Sequence, residues 1–186
     1  MGAEFEDLTG ALKKAAQALR EADLPFIVAG GLASYARGGP PTEHDVDLAL
    51  RPADAERALT VLEKSGMRGE RPPEEWLFKV FDPSANEAMI DIIFRPVGID
   101  IDDGFFDRAD EMEVEAVKML VMSADDLLTT KLLALSEHHV DYDSVLEIGR
   151  ILREQIDWED VRRRTEHSPY ARAYFTLVNE LGIVQV

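Results

Sequence analysis

The chain has 186 residues, 46% hydrophobic and 31% charged, which suits one domain, or a core with a small appended subdomain, and excludes wholesale disorder. It has no cysteine, so disulfides, thiolate zinc sites, iron–sulfur clusters and a cysteine nucleophile are excluded. A formal charge of −17 repels nucleic acid and anionic lipid at long range, which leaves only a local basic cleft as a place for either.

Residues 4–22 predict an amphipathic helix: Phe5, Leu8, Leu12, Ala15, Ala16 and Leu19 recur at helical spacing, and Asp23-Leu24-Pro25 stops it. Phe26 to Ala29 is a compact buried strand ended by Gly30-Gly31, and Leu32–Arg37 follows as a short helix. After the loop Gly38-Gly39-Pro40-Pro41-Thr42, the segment Asp45 to Leu50 alternates as a strand does. Residues 53–65 read as a helix closed by Gly66. Strands are expected at Trp76–Phe81, Ala88–Phe94 and Val117–Val121. Ser123 is an N-cap with Asp126 closing a capping box, and from there the pattern is helical throughout. Asp141 or Asp143 opens one helix, Asp157 another, and Ser168-Pro169 a last one ending at Gly182. The expected organisation is a mixed α/β core over residues 1–122 and an α-helical subdomain over residues 123–186. The start of the chain has no basic and apolar leader pattern, and no apolar run is long enough for a membrane span. The expectation is therefore a cytoplasmic protein with no membrane partner.

Asp45-Val46-Asp47 is the most informative element. Strand side chains alternate faces, so the two carboxylates share one side, roughly 6.5–7 Å apart, while Val46, Leu48 and Leu50 point to the core. Such a pair also suits the solvent face of an edge strand. Asp91, within Met89-Ile90-Asp91-Ile92-Ile93, shifts the balance, because an acid in an apolar run is costly unless something positive meets it. If the two strands are neighbours in register, Asp45, Asp47 and Asp91 converge, and an oxygen-only set of acids points to Mg²⁺ or Mn²⁺. Gly30-Gly31, between a strand and a helix start, lets backbone N–H groups approach a phosphate, although a glycine pair there also serves as a plain tight turn.

In order and spacing, these elements resemble the nucleotidyltransferase superfamily of the DNA polymerase β type. Val28-Ala29-Gly30-Gly31, a thirteen-residue spacer, Asp45-Val46-Asp47-Leu48 and Ile90-Asp91-Ile92 carry the resemblance. The later half is similar to AbiEii/MenT-type toxins and minimal nucleotidyltransferases. Asp126-Leu127-Leu128-Thr129-Thr130-Lys131 matches their helix motif, and Asp141 matches part of the following one, from which Val140 and Ser144 depart. The resemblance implies a nucleotidyltransferase-like mixed sheet with flanking helices and a helical C-terminal subdomain. It also implies transfer of a nucleoside monophosphate from an NTP such as ATP to an acceptor hydroxyl, with release of pyrophosphate. In that scheme Asp45, Asp47 and Asp91 are catalytic and hold Mg²⁺ or Mn²⁺, and Asp91 also serves the acceptor hydroxyl. Gly30, Gly31 and Lys131 bind the nucleotide.

Several residues keep two readings. Lys131 reaches the triphosphate or snorkels from its helix. Asp141 positions substrate or caps a helix. His44 contacts substrate or simply faces solvent. Arg162-Arg163-Arg164 with Arg172 docks an RNA or forms a solvated face. The C-terminal resemblance puts tRNA first as the acceptor, as in a toxin with an antitoxin partner; the charge of −17 favours the alternative, a small cationic molecule such as an aminoglycoside or lincosamide. A non-catalytic nucleotide- or partner-binding member of the fold is the alternative from another class.

Overall fold

A computed structural model describes residues 3–41 and 45–185. Its first helix, α1 (Ala3–Glu21), buries Phe5, Leu8, Leu12, Ala15, Ala16 and Leu19 on one stripe, as the periodicity requires. It stops where Asp23 turns to φ 51°, so that the Leu24 amide closes back onto the Leu19 carbonyl. Strand β1 (Ile27–Ala29) runs directly into α2 (Gly30–Ala36), which begins at the glycine pair rather than after it. Next come β2 (Val46–Ala49), α3 (Ala55–Lys64), β3 (Arg68–Glu70), β4 (Leu77–Asp82) and β5 (Ala88–Ile93). Short helix α4 (Asp103–Asp107) and the hairpin β6 (Asp110–Val114) and β7 (Val117–Val121) complete the sheet-forming part.

The seven strands form one mixed sheet in the order β3-β4-β5-β2-β1-β7-β6. At its centre β2 runs antiparallel to β1 and parallel to β5, and β1 runs parallel to β7. Helices α1 and α3 pack on each other and on β5, while α2 lies against β1 and β2. Val46, Leu48, Ile90 and Ile92, fully buried, alternate with Asp47 and Asp91 along the two central strands.

The rest is helical: α5 (Ala124–Ala134), α6 (Tyr142–Ile151), α7 (Trp158–Thr165) and α8 (Pro169–Glu180). Each begins at the expected cap. Side-chain oxygens of Ser123, Asp141, Asp157 and Ser168 accept from the amides of Asp126, Ser144, Asp160 and Ala171 at 3.1–3.3 Å. The capping box at α5 is only half made, because the Asp126 carboxylate is taken up elsewhere. Only 1% exposed, it accepts from Arg108 Nε at 2.9 Å and from Arg164, tying the end of α4 to α5 and α7. Helix α5 packs against α2, α6, α7 and α8, and one apolar cluster runs from Phe5 to Val178. Among the described residues, no helix is long and apolar enough to cross a membrane.

Candidate active site

Parallel pairing of β2 with β5 sets Asp47 directly beside Asp91, and Asp45 lies two residues before Asp47 on the same face. Carboxylate oxygens of all three come within 4.8 Å of one another, so the predicted convergence is present. The opposite faces of both strands carry the aliphatic side chains, and this alternation aims every acid at one side of the sheet.

Gly30 is built around this cluster. It adopts φ +56°, and a Cβ added there would lie 1.7 Å from Asp47 Oδ2. The glycine is therefore required by the approach of a carboxylate to the start of α2, besides any role towards phosphate. Gly30 and Gly31 occupy the first turn of α2, where amides have no partner within the helix.

Three acids in so small a space are electrostatically unbalanced. Burial, and then the neighbouring Asp45 charge, push the Asp47 carboxyl up to about 7, with Lys131 and Lys79 opposing the rise and Asp91 adding to it. Asp91 is raised as well, by burial first, against a hydrogen bond and charge from Lys79. Strained by mutual repulsion and offering only oxygen donors, the set fits a hard divalent cation held by Asp45, Asp47 and Asp91.

The acids floor a cavity of about 460 Å³. Gly30, Gly31, Thr130 and Lys131 line it. Trp76, Ile93, Pro96, Val97, Ile101 and Phe105 give it an apolar wall, with Trp76 and Val97 exposed. A smaller recess of about 130 Å³ continues past Gly30, Gly31 and Lys131 to Ser34, Ser144 and Glu147.

Gly30, Gly31, Lys131 and the three acids thus come together. Lys131 faces the cleft from α5, near enough for its charge to act on Asp47. Asp141 caps α6, whose Ser144, Glu147 and Ile148 are the residues that reach the recess. His44 lies outside the described residues. Two features had no sequence signal strong enough to single them out. Lys79 stands opposite Asp91 across the β4–β5 pair, with Nζ 3.1 and 3.3 Å from the two carboxylate oxygens. A lone lysine in Leu77-Phe78-Lys79-Val80-Phe81 was the available hint, but its partner depends on the register set by the hairpin turn. The apolar wall is assembled from segments far apart in the chain, so no local pattern announces it.

A mixed sheet that gathers three acids beside a glycine-opened helix, followed by a helical part, defines a nucleotidyltransferase-like fold. The chain matches the family described as uncharacterised nucleotidyltransferase over residues 6–179, and it belongs to that family. No curated protein matches it in sequence. Among solved structures it is similar to ANT(2″)-Ia in complex with adenylyl-2″-tobramycin, at 16% identity and a TM-score of 0.64 over 88% of this chain and 96% of that one. It is also similar to the lincosamide antibiotic adenylyltransferase LnuA with lincomycin bound, at 15% identity and a TM-score of 0.54 over 76% and 94% of the two chains. An antigenic nucleotidyltransferase-like protein from Paracoccidioides brasiliensis aligns at 14% identity and a TM-score of 0.58, over 92% and 87%. At these identities the likeness is one of fold.

Proposed function

We propose that the protein transfers a nucleoside monophosphate from an NTP to a hydroxyl of a small organic acceptor, using Mg²⁺ or Mn²⁺. The observation that carries this is the cavity itself. Its volume, about 460 Å³, is that of a small-molecule site, and apolar side chains wall it beside Asp91. Lys131 is the only cation among its described lining residues, too few to hold a polyanionic acceptor. Three of the four arginines of α7 and α8 are engaged elsewhere: Arg163 pairs with Asp160, Arg164 with Asp126, and Arg172 donates to the Glu166 carbonyl at 2.7 Å.

Each part of the chain then has a task. Lys131 and the amides of Gly30 and Gly31 seat the triphosphate, and Asp45 and Asp47 hold the metal with Asp91. When bound, the divalent ion neutralises phosphate charge in the ground state and in the displacement. Asp91 accepts the proton of the acceptor hydroxyl as its oxygen forms a bond to the α-phosphorus. The bond from that phosphorus to the bridging oxygen breaks, and pyrophosphate leaves with the electron pair. The apolar wall beside Asp91 shelters the acceptor and excludes water, which would otherwise compete for the nucleotide.

The test is to incubate the protein with Mg²⁺ and each radiolabelled NTP, offering hydroxyl-bearing aminoglycosides and lincosamides in parallel with a total tRNA pool. Label should move to a small molecule, and Asp45→Asn or Asp47→Asn should lower the rate by roughly a thousandfold or more. Labelled tRNA would replace the acceptor assignment. Tight nucleotide binding with no transfer to any acceptor would make the protein a binding member of the fold.

A further inference from the structure

We propose that Lys79 is a positioning residue of the transfer site, the resident cation of Asp91. It orients that carboxylate before nucleotide and metal arrive, and it competes with divalent cation for it. The inference rests on the reading of Asp45, Asp47 and Asp91 as the transfer site.

Register places it there. In the antiparallel β4–β5 pair Lys79 is directly opposite Asp91, so both side chains leave the sheet on the face that carries the acids. Its neighbours Phe78 and Val80 point into the core on the other face, which pins the strand against slipping. The ammonium reaches both oxygens of Asp91, at 3.1 and 3.3 Å, and also lies 3.5 Å from Met89 Sδ. The pair is unequal in exposure, with the Asp91 side chain 10% exposed and that of Lys79 31% exposed. A carboxylate so enclosed needs a fixed partner, whereas the lysine head keeps access to water and can withdraw along its flexible stem.

Two consequences follow from a cation tethered at this position. The first is orientational: with both oxygens engaged, Asp91 is held in one rotamer beside Asp47 instead of turning from two other negative charges. The second is competitive. A positive charge already on Asp91 repels an arriving divalent ion and occupies oxygens that ion would use, so the lysine weakens metal binding in the absence of nucleotide. A lysine that merely solubilised a strand would do neither.

The experiment uses the full chain without nucleotide and follows Mn²⁺ binding by electron paramagnetic resonance, beside steady-state transfer. Lys79→Met keeps the stem and removes the charge. It should bind Mn²⁺ roughly tenfold or more tightly than the wild type, yet lose kcat by about a hundredfold with KM for the NTP nearly unchanged. Lys79→Arg should return both quantities most of the way to wild type, and thermal melting should show all three proteins folded. Should Lys79→Met match the wild type in Mn²⁺ affinity and kcat, or lose kcat with no gain in Mn²⁺ affinity, the proposal is overturned while the transfer site stands. If neither the wild type nor Lys79→Met binds Mn²⁺, with or without an NTP, the transfer-site reading falls and takes the role of Lys79 with it. Should Lys79→Met fail to fold, Lys79→Gln decides by the same two measurements.

Discussion

A methyl group on Gly30 would stand inside the Asp47 carboxylate, so one residue couples the start of α2 to the acid that β2 delivers. Gly30→Ala must either twist the backbone out of its left-handed conformation or push Asp47 aside. Stability should fall by about 1–2 kcal/mol and Mn²⁺ affinity should fall with it, measurable by melting and calorimetry on one preparation. Asp47 carries a pH signature of its own. Its carboxyl titrates near 7 in the folded protein, above the ordinary carboxylate range of the unfolded chain. Between those values the folded state binds more protons than the unfolded one, so this group makes the metal-free protein less stable as pH rises from about 4 to about 7. A divalent cation favours the ionised form and offsets that loss. The rise in Tm on adding Mg²⁺ should therefore be larger at pH 8 than at pH 5, and Asp47→Asn should abolish the difference. An equal rise at both pH values in the wild type would refute the assignment.

At the scale of elements, the Asp126 clamp takes the place that a simple cap was expected to fill. Arg108 follows α4, Arg164 sits on α7, and the buried carboxylate between them belongs to the first turn of α5, the helix that also presents Lys131 to the cleft. Replacing both arginines with Met leaves a buried charge without its partners and should cost about 3–5 kcal/mol. Asp126→Asn, which keeps hydrogen-bonding capacity, should cost less than the double variant in denaturant unfolding. The clamp also shows where local pattern stops being informative. Ser123, Asp141, Asp157 and Ser168 were readable as caps because a cap is settled within four residues of chain. Asp126 was misread as a box partner because its true partners lie 18 and 38 residues away. The central strands announced themselves by apolar alternation, whereas β3 and β6 did not. Those two are the edges of the sheet, and Arg68-Gly69-Glu70 and Asp110-Glu111-Met112-Glu113 are too polar to read as strands. Charged edges discourage pairing with other chains, and that protection removes the hydrophobic signal. The acid cluster was legible by composition, and only its closeness awaited the β2–β5 register, which is set across α3, β3 and β4.

Charge acts on the whole molecule. At −17 the protein repels a polyanion at long range, and its arginine-rich helix does not line the cavity that holds the three acids. Arg162 and Arg172 flank a separate cavity with Glu166, while Arg164 is committed to Asp126. An RNA acceptor would have to be held through cations of this kind. Its capture would then weaken by roughly 40- to 150-fold between about 50 and about 200 mM salt, as counterion release requires for three or four phosphate contacts. A small acceptor seated on Trp76, Ile93 and Phe105 gains its affinity from apolar contact, which salt leaves intact. Transfer to such an acceptor should change less than about threefold across that range. Arg162→Ala, Arg163→Ala and Arg172→Ala combined, with Arg164 kept for its structural role, should leave kcat/KM within about twofold of wild type. The measurement is transfer rate against salt for both proteins. A steep decline in the wild type that the triple variant flattens would move the acceptor to nucleic acid, because only phosphate contacts through those arginines tie the two effects together.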